Sequence, residues 1–245
     1  MPINPFPKRR HHMNPTKFLK CLLIVLFLGV ATISPACADL YWESLQKSEG
    51  LPGTPDGTQT VKNYMTANAT RYEARDNITI VDLDKMKMYT LDPKAKTYNE
   101  VDLSKMGQVP EMEGEAGKQV MGMVKGLMGS IKVTPTKETR TISGYACTKN
   151  IVSFMGTQSE NWVTRDIKGL DEMMGYGKRF SEVMNRNPMM RQMNVSAMIQ
   201  DLKGFPVETT VNMMNGKMTT TLQKFEQKHL SAELFKVPPG YKKTE

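Results

Sequence analysis

The chain has 245 residues, with 33 Lys and Arg against 25 Asp and Glu and a formal net charge of +8. Residues 1–38 hold five of those bases, Lys8, Arg9, Arg10, Lys17 and Lys20, and no acid, so the remainder sets 28 bases against 25 acids and nets only +3. With no Lys/Arg run interleaved with aromatics, binding to nucleic acid is not supported.

The N-terminus reads as a secretory signal peptide. KRRHHMNPTKFLK is basic, FLKCLLIVLFLGVATI is apolar, and Ala36 and Ala38 form an A-x-A arrangement ahead of Asp39. The apolar run from Leu22 to Ile33 is shorter than the ~20 residues of a membrane span. Cleavage is expected after Ala38, with Met13 a tidier start than Met1. A second route is lipidation: Cys37 follows Ser-Pro-Ala, a loose lipoprotein site with Ser34 where leucine is usual. Either route exports the chain, and the expected location is the periplasm.

The mature portion, 39–245, reads as a single exported domain. LYWESLQKSEG leads into LPGTPDGT, whose Gly, Pro and Asp mark a turn-rich connection. Strand signals follow as TVKNYMTA and ATRYEA, then ITIVDL, KMYTL and TYNEV, separated by DKMK and DPKAK. The short connections predict an antiparallel meander. Alternation places Ile78 with Ile80 and Met86 with Met88, while Val81 and Leu83, or Tyr89 and Leu91, point the other way. Apolar groups of both parities predict a sheet covered on both faces.

From Glu111 to Ser130, Ala116, Val120, Met123, Val124, Leu127 and Met128 fall on a helical stripe interrupted by glycines. TRTISGYACTKNIVSFMG and SENWVTRDI predict a hairpin turning near Gly156. A second helix is expected from Leu170 to about Met184, and a third in VSAMIQDLKG. FPVETTVNMMNGKMTTTLQKF predicts a hairpin with a type I′ turn at Asn215-Gly216. The expected fold class is therefore α+β: an antiparallel sheet with helical inserts near 111–130 and 169–203 covering one face.

Groups for chemistry are scarce. His229 is the single histidine after residue 38, no Cys/His spacing suits zinc, and neither a G-x-S-x-G elbow nor a phosphate-cradling loop occurs. Asp82 and Asp84 could bind a cation, although a turn explains them. Cys147, in a strand-like run, suits packing as a small apolar residue. No enzyme and no cofactor is expected. The unusual feature is methionine, 21 in all, concentrated in VMGMVKGLM and EVMNRNPMMRQM. Three readings stay open: core packing, an adaptable apolar surface for a flexible ligand or partner, and Cu(I) held by the thioethers of Met189, Met190 and Met193.

IVDLDKMKMYTLDPKAKTYNEV, TISGYACTKNIV, NWVTRDIKGL, GFPVETTV and LFKVPPGYKK together resemble a bacterial exported family known as a domain of unknown function. The resemblance covers about Tyr64 to Lys243. Such domains in turn resemble, on architecture, the periplasmic lipoprotein carrier and its outer-membrane receptor. The chain departs from those carriers in lacking their sequence motifs and in its heavy methionine content. The resemblance implies a curved half-barrel with helices over an apolar cavity for acyl chains, and hence a lipid or an acylated protein as ligand. Met86, Met88, Tyr89, Trp162, Met173, Met174, Phe180, Met184 and Met198 are the residues expected to line it. The alternative is an envelope interaction or structural protein with a methionine-rich core.

Overall fold

The computed structural model describes residues 38–105, 132–154, 157–186, 201–213 and 216–244. Residues 37–245 make one compact unit. Its centre is a strand absent from the turn signals of the sequence, β1 (Leu40–Glu49). β1 pairs antiparallel with β2 (Gly57–Met65) on one side and with β11 (Gly216–Gln227) on the other. Beyond β2 the meander continues through β3 (Ala69–Glu73), β4 (Ile78–Asp82), β5 (Lys87–Asp92) and β6 (Thr97–Asp102). Beyond β11 lie β10 (Phe205–Met213), β9 (Thr157–Thr164), β8 (Tyr145–Phe154) and β7 (Lys132–Ile142). The two-residue β12 (Lys242–Lys243) runs parallel to β6 and completes a twelve-stranded sheet. The sheet is curved and unclosed, with β12 and β7 at its two ends.

Local chemistry sets the turns. Asp92 accepts the amides of Lys94 and Ala95, each at 2.8 Å, and Lys96 adopts φ +52° to enter β6. Asp82 closes the preceding turn by accepting the Lys85 amide at 2.9 Å and its ammonium at 2.7 Å. Met86, within the expected DKMK connection, is the left-handed residue of that turn at φ +57°. Two expectations shift. TRTISGYACTKNIVSF is not one strand: Ser143 (φ +50°) and Gly144 (φ +83°) turn it tightly between β7 and β8. The β10–β11 ladder pairs Met213 with Gly216, so the connection comprises residues 214–215 and Gly216 is a strand residue. Glycine is needed there because a Cβ would stand 2.7 Å from the Gly50 carbonyl.

Among the described residues the expected inserts reduce to one long helix, α1 (Leu170–Met184), entered through Gly169 at φ +88°. The region 111–130 lies outside the described residues, as does most of VSAMIQDLKG. Asp171 and Glu172 in the first turn suit the positive end of the helix dipole.

The meander is covered on both faces, by different elements. Ile80 and Leu91, with Ile78, Tyr89 and Tyr98, pack with Tyr41 and Tyr64 against Leu230, Leu234, Phe235, Val237 and Tyr241 of the C-terminal segment. That segment holds a short 3-10 turn, Ala232–Phe235, capped by Ser231. Val81, Leu83, Met86, Met88 and Leu103 pack against Tyr176, Phe180, Val183 and Met184 of α1. The start of α1, through Leu170 and Met173, joins a third cluster under β8–β11 containing Trp42, Cys147, Trp162, Ile167, Phe205, Val207, Leu222 and Phe225.

Two outcomes follow. A Cβ on Gly169 would lie 2.5 Å from Leu40 Cδ2, on a backbone that L residues avoid. Gly169→Ala is expected to cost about 1–3 kcal/mol, read as a lower urea midpoint at unchanged slope. Burial raises the pKa of Asp82, but the hydrogen bonds from Lys85 outweigh it and hold the carboxyl below its ordinary value of 3.8. Its stabilisation is therefore complete above that value and is lost as the pH falls through the depressed folded pKa. Urea titrations from pH 6 down to pH 2 should show Asp82→Asn less acid-sensitive than the parent; equal sensitivity would remove the carboxylate from this role.

Candidate functional site

The feature that can do something is the seam between α1 and the sheet. Its underside is apolar, while its polar contacts run along one flank. Glu172 accepts from Gln227 of β11 at 3.1 Å, and the Tyr176 hydroxyl lies 3.3 Å from that of Thr70 in β3. The Arg179 guanidinium donates to Asp84 at 2.6 Å, and Asn68 donates to the same carboxylate at 3.0 Å. The second acid of the Asp82-Leu83-Asp84 turn is thus the anchor of the helix. Both Asp84 and Arg179 are about half exposed, at 56% and 47%, so the pair contributes on the order of 0–1 kcal/mol.

The expected cavity residues divide into separate groups. Met86, Met88, Phe180 and Met184 meet under the second half of α1. Trp162 and Met173 meet in the cluster under β8–β11. Tyr89 does not belong with either: it pairs with Ile80 and faces the C-terminal segment on the opposite side of the sheet. Alternation gives Tyr89 a parity opposed to Met88, and the helix covers the methionine parity. Met174 is half-buried on α1 and packs into none of the three clusters. Met198 lies outside the described residues, as do Met189, Met190 and Met193.

Trp162 is 7% exposed, under a cover of charge. The Arg140 guanidinium sits 4.1 Å from its ring centroid and is paired with Glu208, whose other oxygen accepts from Thr221 at 3.0 Å. Lys149, opposite Trp162 in the β8–β9 ladder, is paired with Glu138 and Glu160. These cations are neutralised where they stand, and they seal the indole.

A cleft of about 520 Å³ opens between α1 and the segments at 38–40 and 65–68. Leu40, Met65 and Tyr176 give it apolar walls, and Asp39, Asp171 and Lys178 are among its charged ones. None of the expected cavity residues lines it. Leu40 and Met65 are neighbours in the β1–β2 ladder, a pairing that short-range sequence patterns do not reveal. A second concavity of about 550 Å³, by Pro135, Asn150 and Val163, is rimmed by Arg165, Asp166, Asp201 and Lys203.

Among the described residues no three His, Cys, Asp or Glu side chains converge as a metal site. Asp82 and Asp84 face Lys85 and Arg179, and the His229 side chain is 95% exposed. Cys147 is buried and free, and its thiol contacts the Tyr145 carbonyl at 3.4 Å. Burial pushes that thiol above its usual pKa, which lowers its share of nucleophilic thiolate. No helix of the described residues is long and apolar enough to cross a membrane.

Several solved structures are similar to this chain at low identity. An uncharacterised conserved protein from Thermus thermophilus is 8% identical with a TM-score of 0.48, covering 85% of this chain and 91% of that one. A LolA superfamily protein from Nitrosomonas europaea is 5% identical with a TM-score of 0.33, covering 82% and 91%. PNGF-II is 12% identical with a TM-score of 0.41; 84% of this chain is covered, but the chain spans only 30% of PNGF-II. A comparison with curated proteins finds no match. The sequence pattern of one family covers residues 53–241, most of the chain, and the chain belongs to that family, the Domain of unknown function (DUF4412).

Proposed function

We propose that this is a non-enzymatic exported protein that binds a lipid, or the acyl chain of an acylated partner, between α1 and the curved sheet. The observation that carries the reading is the asymmetry of α1. Its underside is apolar and methionine-rich, while its polar fastenings among the described residues lie along one flank and are partly solvent-exposed. Gly175 and Gly177 lower its intrinsic helix stability by roughly 1 kcal/mol each relative to alanine. Such a helix can re-pack where an acyl chain replaces its apolar contacts, because methionine adapts to irregular shapes. The cleft along its flank lies within the ~300–1,000 Å³ usual for ligand sites. Acyl chains would enter there and displace the contacts of Tyr176, Phe180 and Met184.

The leader in the sequence supports a periplasmic setting, where such a ligand would need shielding from water. The alternative, an envelope interaction protein whose methionines only pack, predicts a helix that never lifts.

Native mass spectrometry of protein purified from the periplasm without detergent should show a co-purifying lipid mass. Asp84→Asn and Arg179→Ala leave the apolar underside intact, and each should speed exchange of a fluorescent fatty acid by about two- to fivefold. A clean apo mass together with no uptake of the fatty acid would sink the proposal and favour the interaction protein.

A further inference from the structure

Resting on the lid reading above, we infer that Ser181 recognises a carbonyl, so that the ligand is an acyl ester or amide and not a bare hydrocarbon or alkyl ether. Ser181 and Gly177 occupy successive turns on the stripe of α1 that also bears Met173 and Met184. Leu170 and Met173 pack into the cluster around Trp162, while Phe180, Val183 and Met184 pack into the one around Leu83 and Leu103. Gly177 separates these two apolar groups, and Ser181, also buried, falls within the span of the second. The helix is bulky where it meets each cluster and slender in between.

The serine has a second property. It is 5% exposed, and among the described residues its Oγ is the one buried side-chain oxygen or nitrogen with no hydrogen-bond partner. It does not bond back to the helix carbonyl one turn earlier, the usual recourse of a helical serine. A hydroxyl taken out of water without a partner is a net cost, which alanine at this position would avoid. A ligand acceptor meets the need. In an acylated molecule the strong acceptor next to the hydrocarbon is the ester or amide carbonyl, whereas an ether oxygen is weak and an alkane has none. With its carbonyl at Ser181, the chain would run along the methionine side of the stripe.

The test uses two matched probes, 1-monopalmitoylglycerol and 1-O-hexadecylglycerol, which carry alkyl chains of equal carbon number and differ at the carbonyl. Affinities are measured by displacement of a fluorescent fatty acid from the parent protein and from Ser181→Ala. The parent should prefer the ester by about tenfold. Ser181→Ala should bind both probes alike, keep the parent's affinity for the ether, and melt at a higher temperature when ligand-free. Equal affinity of the parent for the two probes overturns the role of Ser181 while leaving the lid reading intact. So does an ester preference that survives in Ser181→Ala. Failure of the parent to bind either probe removes the lid reading itself.

Discussion

Everything in this fold depends on one long-range pairing, β1 with β11. Leu40 stands opposite Gln227 and Glu49 opposite Lys217, so segments far apart in sequence meet along the full length of the central strand. The Asp39 carbonyl accepts the Lys228 amide at 2.9 Å, and its carboxylate accepts the Leu230 amide at the same distance. Until that seam forms, the β2–β6 meander and the β7–β10 strands are separate hairpins, each with an uncovered apolar face. Closing so large a loop costs entropy before any contact compensates, and sheets of this topology fold slowly for that reason.

The same seam positions both covers. Asp39 and Lys228 fix where the C-terminal segment leaves β11, which delivers Leu230 and Phe235 to the Ile80–Leu91 side. Leu40 and Gln227 form the seat for Gly169, from which α1 starts out across the other side. One side receives a covering that ends in a strand, β12, whereas the other receives a helix fastened by a few exposed polar contacts. The two covers therefore differ in kind, even though both faces are apolar.

Much of this was legible in the residues. The turn at Asp92-Pro93, the alternation of Ile78 and Ile80 against Val81, and the stripe from Leu170 to Met184 each report local geometry, and local geometry follows from local sequence. What escaped was long-range. LYWESLQKSE carries no punctuation, so nothing nearby reveals that it is the central strand. The Ser143-Gly144 turn is hidden within a continuous β-forming run. Gly216 is glycine because Gly50 approaches it across the sheet, a reason invisible from either position. Parity separated Tyr89 from Met88, but only the packing of α1 decided which parity is the candidate site. Nothing in the local sequence marks Ser181, because its missing hydrogen-bond partner is a property of packing.

β7 is the longest stretch of backbone left at an end of the sheet, eleven residues with little cover. Its ladder with β8 is broken by a bulge between Pro135 and Thr139, and it carries Lys132, Lys137, Glu138 and Arg140. Proline withholds a donor, the bulge bends the strand out of plane, and the charges resist a second strand. An open sheet with an apolar interior invites end-to-end stacking of copies. At this margin the chain gives up regular pairing, which makes the edge a poor template for a second copy.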